Sequence, residues 1–195
     1  MEFIEKVKLA FGDSDKLFNA VKGEDLGGPL RYYLMLLIVP TAILIVLSGF
    51  AFSFLTAMMW YIPEAEMLPV QMLQMFGPVI GLAIGGVFYV SAMVGSIISA
   101  AILHVILFLF GAKKGFENTY KAIAYGGTPS VLFSWIPLVN IIFSIWSWYL
   151  VVKGFSKLHG ITMGQAFLAT LIPVIVVAAF AVFGMMAYMA SMFLV

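Results

Sequence analysis

Few residues in this chain have side chains suited to chemistry. The two histidines are His104 and His159, and Glu117 lies between them. Two histidines and a carboxylate suffice to hold a metal ion, and a histidine can relay protons near neutral pH. Nothing in the spacing of these three asks for a metal, and His104 reads first as a buried neutral ring hydrogen-bonded to a neighbouring helix. His-Glu-x-x-His, Ser-His-Asp, paired aspartates and a Gly-rich phosphate loop are all missing from the sequence. Hydrolysis or group transfer needs a positioned nucleophile or base, so the expectation is a protein that is not an enzyme and carries no cofactor. The remaining polar group of interest is Tyr125-Gly126-Gly127-Thr128-Pro129, with Asn140 as a candidate buried amide and Gln74 a further polar residue. Two glycines and a proline so close together weaken a helix and free backbone carbonyls. Inside a bilayer such breaks occur where the backbone is buried in protein or lines a cavity. A kink for tight packing and a pocket for a small ligand or lipid both fit.

The elements that must position these residues are membrane helices. The chain has 195 residues, of which 64% are hydrophobic and only 10% charged, and its mean hydropathy is +1.12. A soluble domain carries about 25% charged residues. The net charge of +1 argues against nucleic acid as a partner, which requires a strongly basic face. With no cysteine there are no disulfides or thiolate metal sites. Residues 1–30 hold no apolar core of the signal-peptide kind.

Periodicity gives an all-α polytopic bundle: an amphipathic arm over 1–30 and a five-helix membrane domain over 31–195, with spans at about 32–59, 77–110, 118–136, 137–153 and 166–192. In the arm, Phe3, Ile4, Val7, Ala10 and Phe11 share one helical side, and Asp13 or Ser14 can cap a second short helix. Trp60 and Tyr61 read as interfacial aromatics closing the first span. Pro40 is placed to kink that span. The second span is about 50 Å long as one helix, so it must tilt, break or begin outside a core of roughly 30 Å. Gly77, Gly81 and Gly85 recur every four residues along it, a spacing that lets helices approach closely, within the bundle or across a dimer.

Charge sets the orientation. Lys6, Lys8, Lys16, Lys22 and Arg31 precede the first span, Lys113, Lys114 and Lys121 follow the second, and Lys153 and Lys157 follow the fourth; these are all 10 cations. The loop after the first span carries Glu64 and Glu66 instead. In a five-span arrangement every cation falls on one side, with the N-terminus cytoplasmic and the C-terminus external. The arms Ala122–Ile136 and Pro137–Val152 each cover only about 23–24 Å at 1.5 Å per residue. They either cross fully, with the polar shoulder at Glu117 to Lys121 joining the first, or form a re-entrant hairpin. Both give the same sidedness.

The order of residues in this region resembles a known family. An acidic residue and a polar stretch lead into Ala124, Tyr125 and Gly126 with Pro129 following. Next come Ile136-Pro137-Leu138-Val139, a span with Trp146 and Trp148, and Leu158-His159-Gly160-Ile161-Thr162 before Gln165-Ala166. The set is similar to the Yip1 domain, a five-span membrane domain, over most of the chain. Asp25-Leu26-Gly27-Gly28-Pro29 is similar to a short acidic motif of eukaryotic members, with Gly27 where those have Tyr. The resemblance implies a non-enzymatic protein of membrane organisation or vesicle-mediated transport, with contacts to lipid, to itself as a homo-oligomer or to other membrane proteins. A GTPase partner is implied only where the eukaryotic role carries over. The short arm is similar to that of prokaryotic members. The expected location is therefore the cytoplasmic membrane of a bacterium or archaeon, or the endoplasmic reticulum and Golgi for a eukaryotic source. Candidate ligand or partner contacts are Asp25, Gly28, Pro29, Glu117, Tyr125, Gly126, Pro129 and His159. The alternative is a transporter or channel for a small molecule or lipid.

Overall fold

A computed structural model describes residues 1–59 and 76–192. Along them run α1 (Phe3–Gly12), α2 (Ser14–Val21), α3 (Gly27–Met59), α4 (Gly77–Leu109), α5 (Phe116–Gly126), α6 (Thr128–Leu132), α7 (Pro137–His159) and α8 (Met163–Met192). No strand occurs among the described residues. Trp60, Tyr61, Glu64, Glu66 and Gln74 lie outside them. Among the described residues four helices are long and apolar enough to cross a membrane: Gly27–Leu55 of α3, all of α4, all of α7, and Met163–Met186 of α8.

The stretch expected to hold one span over 118–136 is two shorter helices, α5 and α6, joined at Gly127. Neither reaches spanning length. The cause is local: Pro129 has no N–H for the carbonyl of Tyr125, four residues back, so the ladder is interrupted there. Pro40 and Pro173, by contrast, lie inside α3 and α8 without ending them. α4 runs unbroken for 33 residues, so its excess length is not relieved by a break.

α3 and α4 form one antiparallel seam. Gly77, Gly81 and Gly85 all face α3: an added Cβ would come within 2.9 Å of the Gly49 carbonyl oxygen at Gly77, 2.5 Å of the Ile45 carbonyl oxygen at Gly81, and 2.2 Å of Ile45 Cγ1 at Gly85. In lipid there is no hydrophobic drive between helices, so close van der Waals packing across small residues holds such a pair together.

The second unit is the hairpin of α5, α6 and α7. Gly126 abuts Val151, Gly154 abuts Ala122, and Phe133 stacks on Phe143 with centroids 4.0 Å apart. α5 and α6 therefore run antiparallel along α7. The turn into α8 is built from two caps. Gly160 takes φ +75°, a left-handed conformation that glycine adopts without strain, and ends α7. Thr162 and Gln165 then exchange backbone and side-chain bonds at 2.9 and 3.2 Å, a capping box opening α8.

The arm lies against this hairpin. Asp13 caps α2 by accepting from the Lys16 N–H at 2.9 Å. Leu17, Phe18 and Val21 are fully buried, and Phe18 rests on Gly154. In α1 the inward residues are Lys6 and Ala10, with Phe3 and Val7 partly covered, whereas Ile4 is exposed. The expected face with Ile4 inside is thus rotated. A buried lysine takes the place, for a reason seen in the site.

Candidate functional site

The polar residues gather at two nodes where separate elements meet. The first joins α1, the turn before α3, and the end of α5. Lys6 Nζ donates to Glu24 Oε1 at 2.6 Å and to the Tyr125 hydroxyl at 3.1 Å. Tyr125 in turn donates its hydroxyl proton to Glu24 Oε2. The three groups close a ring of hydrogen bonds in which the charges cancel. Lys6 also stands 4.9 Å above the Tyr125 ring, a cation–π placement. Because ammonium and carboxylate arrive together, neither charge is left alone out of water, which is what allows Lys6 to be only 7% exposed.

Glu24 fits because Gly28 leaves room: a Cβ there would lie 2.8 Å from Glu24 Oε2. Asp25 does not reach Tyr125. It is exposed, and its Oδ1 accepts from the Gly28 N–H at 3.2 Å, capping the start of α3. Pro29 is buried in the first turn of α3.

A chain of hydroxyls repairs the break at Pro129. Thr128 Oγ1 donates to the Tyr125 carbonyl at 2.7 Å, taking the place of the missing proline N–H. With that proton committed, the 2.7 Å contact between Tyr32 Oη and Thr128 Oγ1 must have Tyr32 as donor. The Tyr32 ring packs on Tyr125 at 4.8 Å and on Phe3 at 5.3 Å. Tyr125, Gly126, Thr128 and Pro129 thus each have a structural role: latch, close approach, repair and break.

The second node bridges α4, α5 and α7. Thr119 Oγ1 lies 2.8 Å from His104 Nδ1 and 2.9 Å from His159 Nε2. The second nitrogen of His159 is buried with no partner among the described residues. A buried N–H without an acceptor is the rarer and costlier orphan, so His159 carries its proton on Nε2 and donates to Thr119. Thr119 donates to His104 Nδ1, and His104 holds its own proton on Nε2. Glu117 is exposed in the first turn of α5 and takes no part. Among the described residues no group of three or more His, Asp or Glu could hold a metal.

Two further contacts tie down α2. Lys121, 1% exposed, donates to the Lys22 carbonyl at 3.2 Å, a cation at the C-terminal end of a helix. At the other end, Asp15 is bonded by Lys153 at 2.8 Å and Lys157 at 2.7 Å. The two ammonium groups hold its carboxyl down to about 2.

The structure therefore brings together Gly28 and Tyr125 through Glu24, and His104 and His159 through Thr119. It leaves Asp25 and Glu117 apart from both nodes. Asn140 is half-buried in the first turn of α7 beside Ser144. Sequence reasoning missed Lys6, Glu24 and Thr119 as site residues. For Lys6 the signal was its position three residues after Phe3 and four before Ala10, on the covered side of α1. Thr119 carried no signal of its own.

The family model for the Yip1 domain matches residues 15–186. Among curated proteins and among solved structures, none matches this chain.

Proposed function

The chain belongs to the Yip1 domain family, and on that premise we propose that it acts as a non-enzymatic membrane scaffold, organising the bilayer and its neighbours through protein and lipid contacts. The observation that carries this reading is where the polar side chains go. Lys6, Glu24, Tyr125, His104, Thr119 and His159 bond to one another across elements, so they join arm, hairpin and long helices into one body. Its partners are a second copy or other membrane proteins, in the cytoplasmic membrane of a bacterium or archaeon. A GTPase partner follows only where the trafficking role of eukaryotic relatives carries over.

The proposed topology puts the N-terminus in the cytoplasm and the C-terminus outside. It draws support from the hairpin as well as the cations. Since α5 and α6 run back along α7, with the Ser130 N–H bonded to Ser147 at 2.9 Å, the pair enters and leaves on one side. The hairpin is proposed to be re-entrant. The exposed edge of the arm, Phe11, packs on Phe133 and Phe143, and Asp13 and Asp15 lie beside Trp146 and Tyr149. With the polar arm at that level, only Pro137 to Trp146 lies deeper, about 15 Å at 1.5 Å per residue against a core of roughly 30 Å.

Native mass spectrometry of the protein in lipid nanodiscs drawn from its own host tests the scaffold reading. A defined oligomer or a co-purifying membrane protein at constant stoichiometry is expected. A bare monomer in every preparation would overturn it.

A further inference from the structure

Between α4, α5–α6, α7 and α8 lies a cavity of about 580 Å³, within the roughly 300–1,000 Å³ range of small-molecule sites. Its wall bears no Asp, Glu, Lys, Arg or His. It is apolar except for Tyr33, Trp148 and six hydroxyls: Ser96, Ser99, Ser130, Ser144, Ser147 and Thr170.

The protons of these hydroxyls are largely committed. Ser96 donates to the Met93 carbonyl at 2.7 Å, Ser130 to the Gly127 carbonyl at 3.0 Å, Thr170 to the Phe167 carbonyl at 2.7 Å, and Ser144 to Asn140 Oδ1 at 3.4 Å. Thr170 Oγ1 also accepts from Trp148 Nε1 at 3.0 Å, and Ser96 Oγ lies 3.3 Å from the Tyr120 hydroxyl, so what is left for a ligand is some of these lone pairs together with the hydroxyls of Ser99 and Ser147. The cavity is therefore uncharged, with hydroxyls that can meet a neutral polar group.

We propose that this cavity binds a neutral lipid whose head group carries a free hydroxyl, of the diacylglycerol class. Such a head exchanges hydrogen bonds with the serine hydroxyls while its chains lie on the apolar wall. A phosphate-bearing head would enter with no counter-charge to meet it, at a cost of several kcal/mol. A bare acyl chain would leave the lone pairs unmet. The break at Gly127 gives the site its form, because it sets Ser130 facing Ser147 across the hairpin. The inference rests on membrane embedding and not on the scaffold role, so it survives failure of the oligomer test.

The test uses full-length protein in phosphatidylcholine vesicles with a trace of a diacylglycerol bearing a diazirine in one chain. A phosphatidic acid with the same chains is the control. On illumination the neutral probe is expected to label α4 near Gly95 and α7 near Ser147, and the charged probe to label only outward faces such as Val87 and Val90. Gly95→Leu puts bulk into the cavity from a position where an added Cβ meets nothing within 4 Å, and should abolish the cavity labelling while leaving the outer faces unchanged. Ser99→Ala removes one hydroxyl without adding bulk and should lower labelling about tenfold, the worth of one hydrogen bond. Equal cavity labelling by both probes, labelling unchanged in both variants, or cross-links to a second copy in place of lipid would overturn the proposal.

Discussion

Glu24 accepts a hydrogen bond from Tyr125 across 101 positions of sequence. The residue before the helix-entry turn thereby meets the residue before the helix break, and Lys6 closes the contact.

Removing one member of this ring should loosen the arm. Tyr125→Phe is expected to cost about 1.5–3 kcal/mol, the range for hydrogen bonds to charged groups. Lys6→Met should cost at least as much, because it strands the Glu24 carboxylate. Thermal unfolding in detergent gives the first quantity. Trypsin cleavage at the exposed Lys8 and Lys16 should quicken in both variants, and exchanging the charges as Lys6→Glu with Glu24→Lys should restore part of the protection.

Thr119→Val should separate the two histidines energetically without changing the shape of the site. The buried His159 then keeps no partner on either nitrogen, at an expected cost of about 1–3 kcal/mol. Thr119→Ser should behave as wild type. A valine variant with unchanged melting temperature would show the bridge to be idle.

Much of this was legible in the sequence and some was not. The membrane class, the long helices and the Gly77, Gly81 and Gly85 repeat follow from composition and spacing, because lipid-facing helices leave a strong compositional trace. The break at Pro129 was readable for the same reason that prolines are. The nodes were hidden because their members come from distant elements: nothing local distinguishes Glu24 from Asp25, yet only one faces Tyr125. Charge alone assigns Lys6 to the polar side of α1, a rule that a buried ion pair defeats. Glu117 attracted notice as a carboxylate near two histidines, while the bridging group is a plain threonine two residues on.

The contact between α2 and α7 should weaken in acid. Asp15 titrates at about 2 in the folded chain instead of 3.8. Its lowered value means the ion pairs contribute fully above pH 3.8 and are lost as pH falls toward 2. Fluorescence of Trp146, which lines the same hollow as Ala10 to Asp15, should shift in that window and not between pH 5 and 8. Asp15→Asn should remove the transition, and added salt should shrink it.

The α3–α4 seam predicts opposite outcomes at neighbouring glycines. Gly81→Val must push the Ile45 backbone away and should cost more than 2 kcal/mol, in line with overpacked cores. At Gly86 an added Cβ meets nothing within 4 Å, so Gly86→Ala should be neutral or stabilising by up to about 1 kcal/mol. Unfolding of the two variants side by side makes the comparison.

With no native cysteine, Trp135→Cys at the hairpin tip reads its depth. A membrane-impermeant thiol reagent added outside sealed cells should leave it unmodified, while a permeant one reaches it. Reaction from outside would mean the hairpin crosses completely.

The latch also imposes an order on biogenesis. The arm emerges first, but Tyr125 is synthesised 101 positions after Glu24. At about 5–20 residues per second that is a delay of roughly 5–20 s. Throughout it Lys6 has no tyrosine to bond, and the apolar side of α1 has no hairpin to cover it. The nascent arm must wait in the headgroup region or under a chaperone, so the first helix made docks only after the hairpin that receives it has been synthesised.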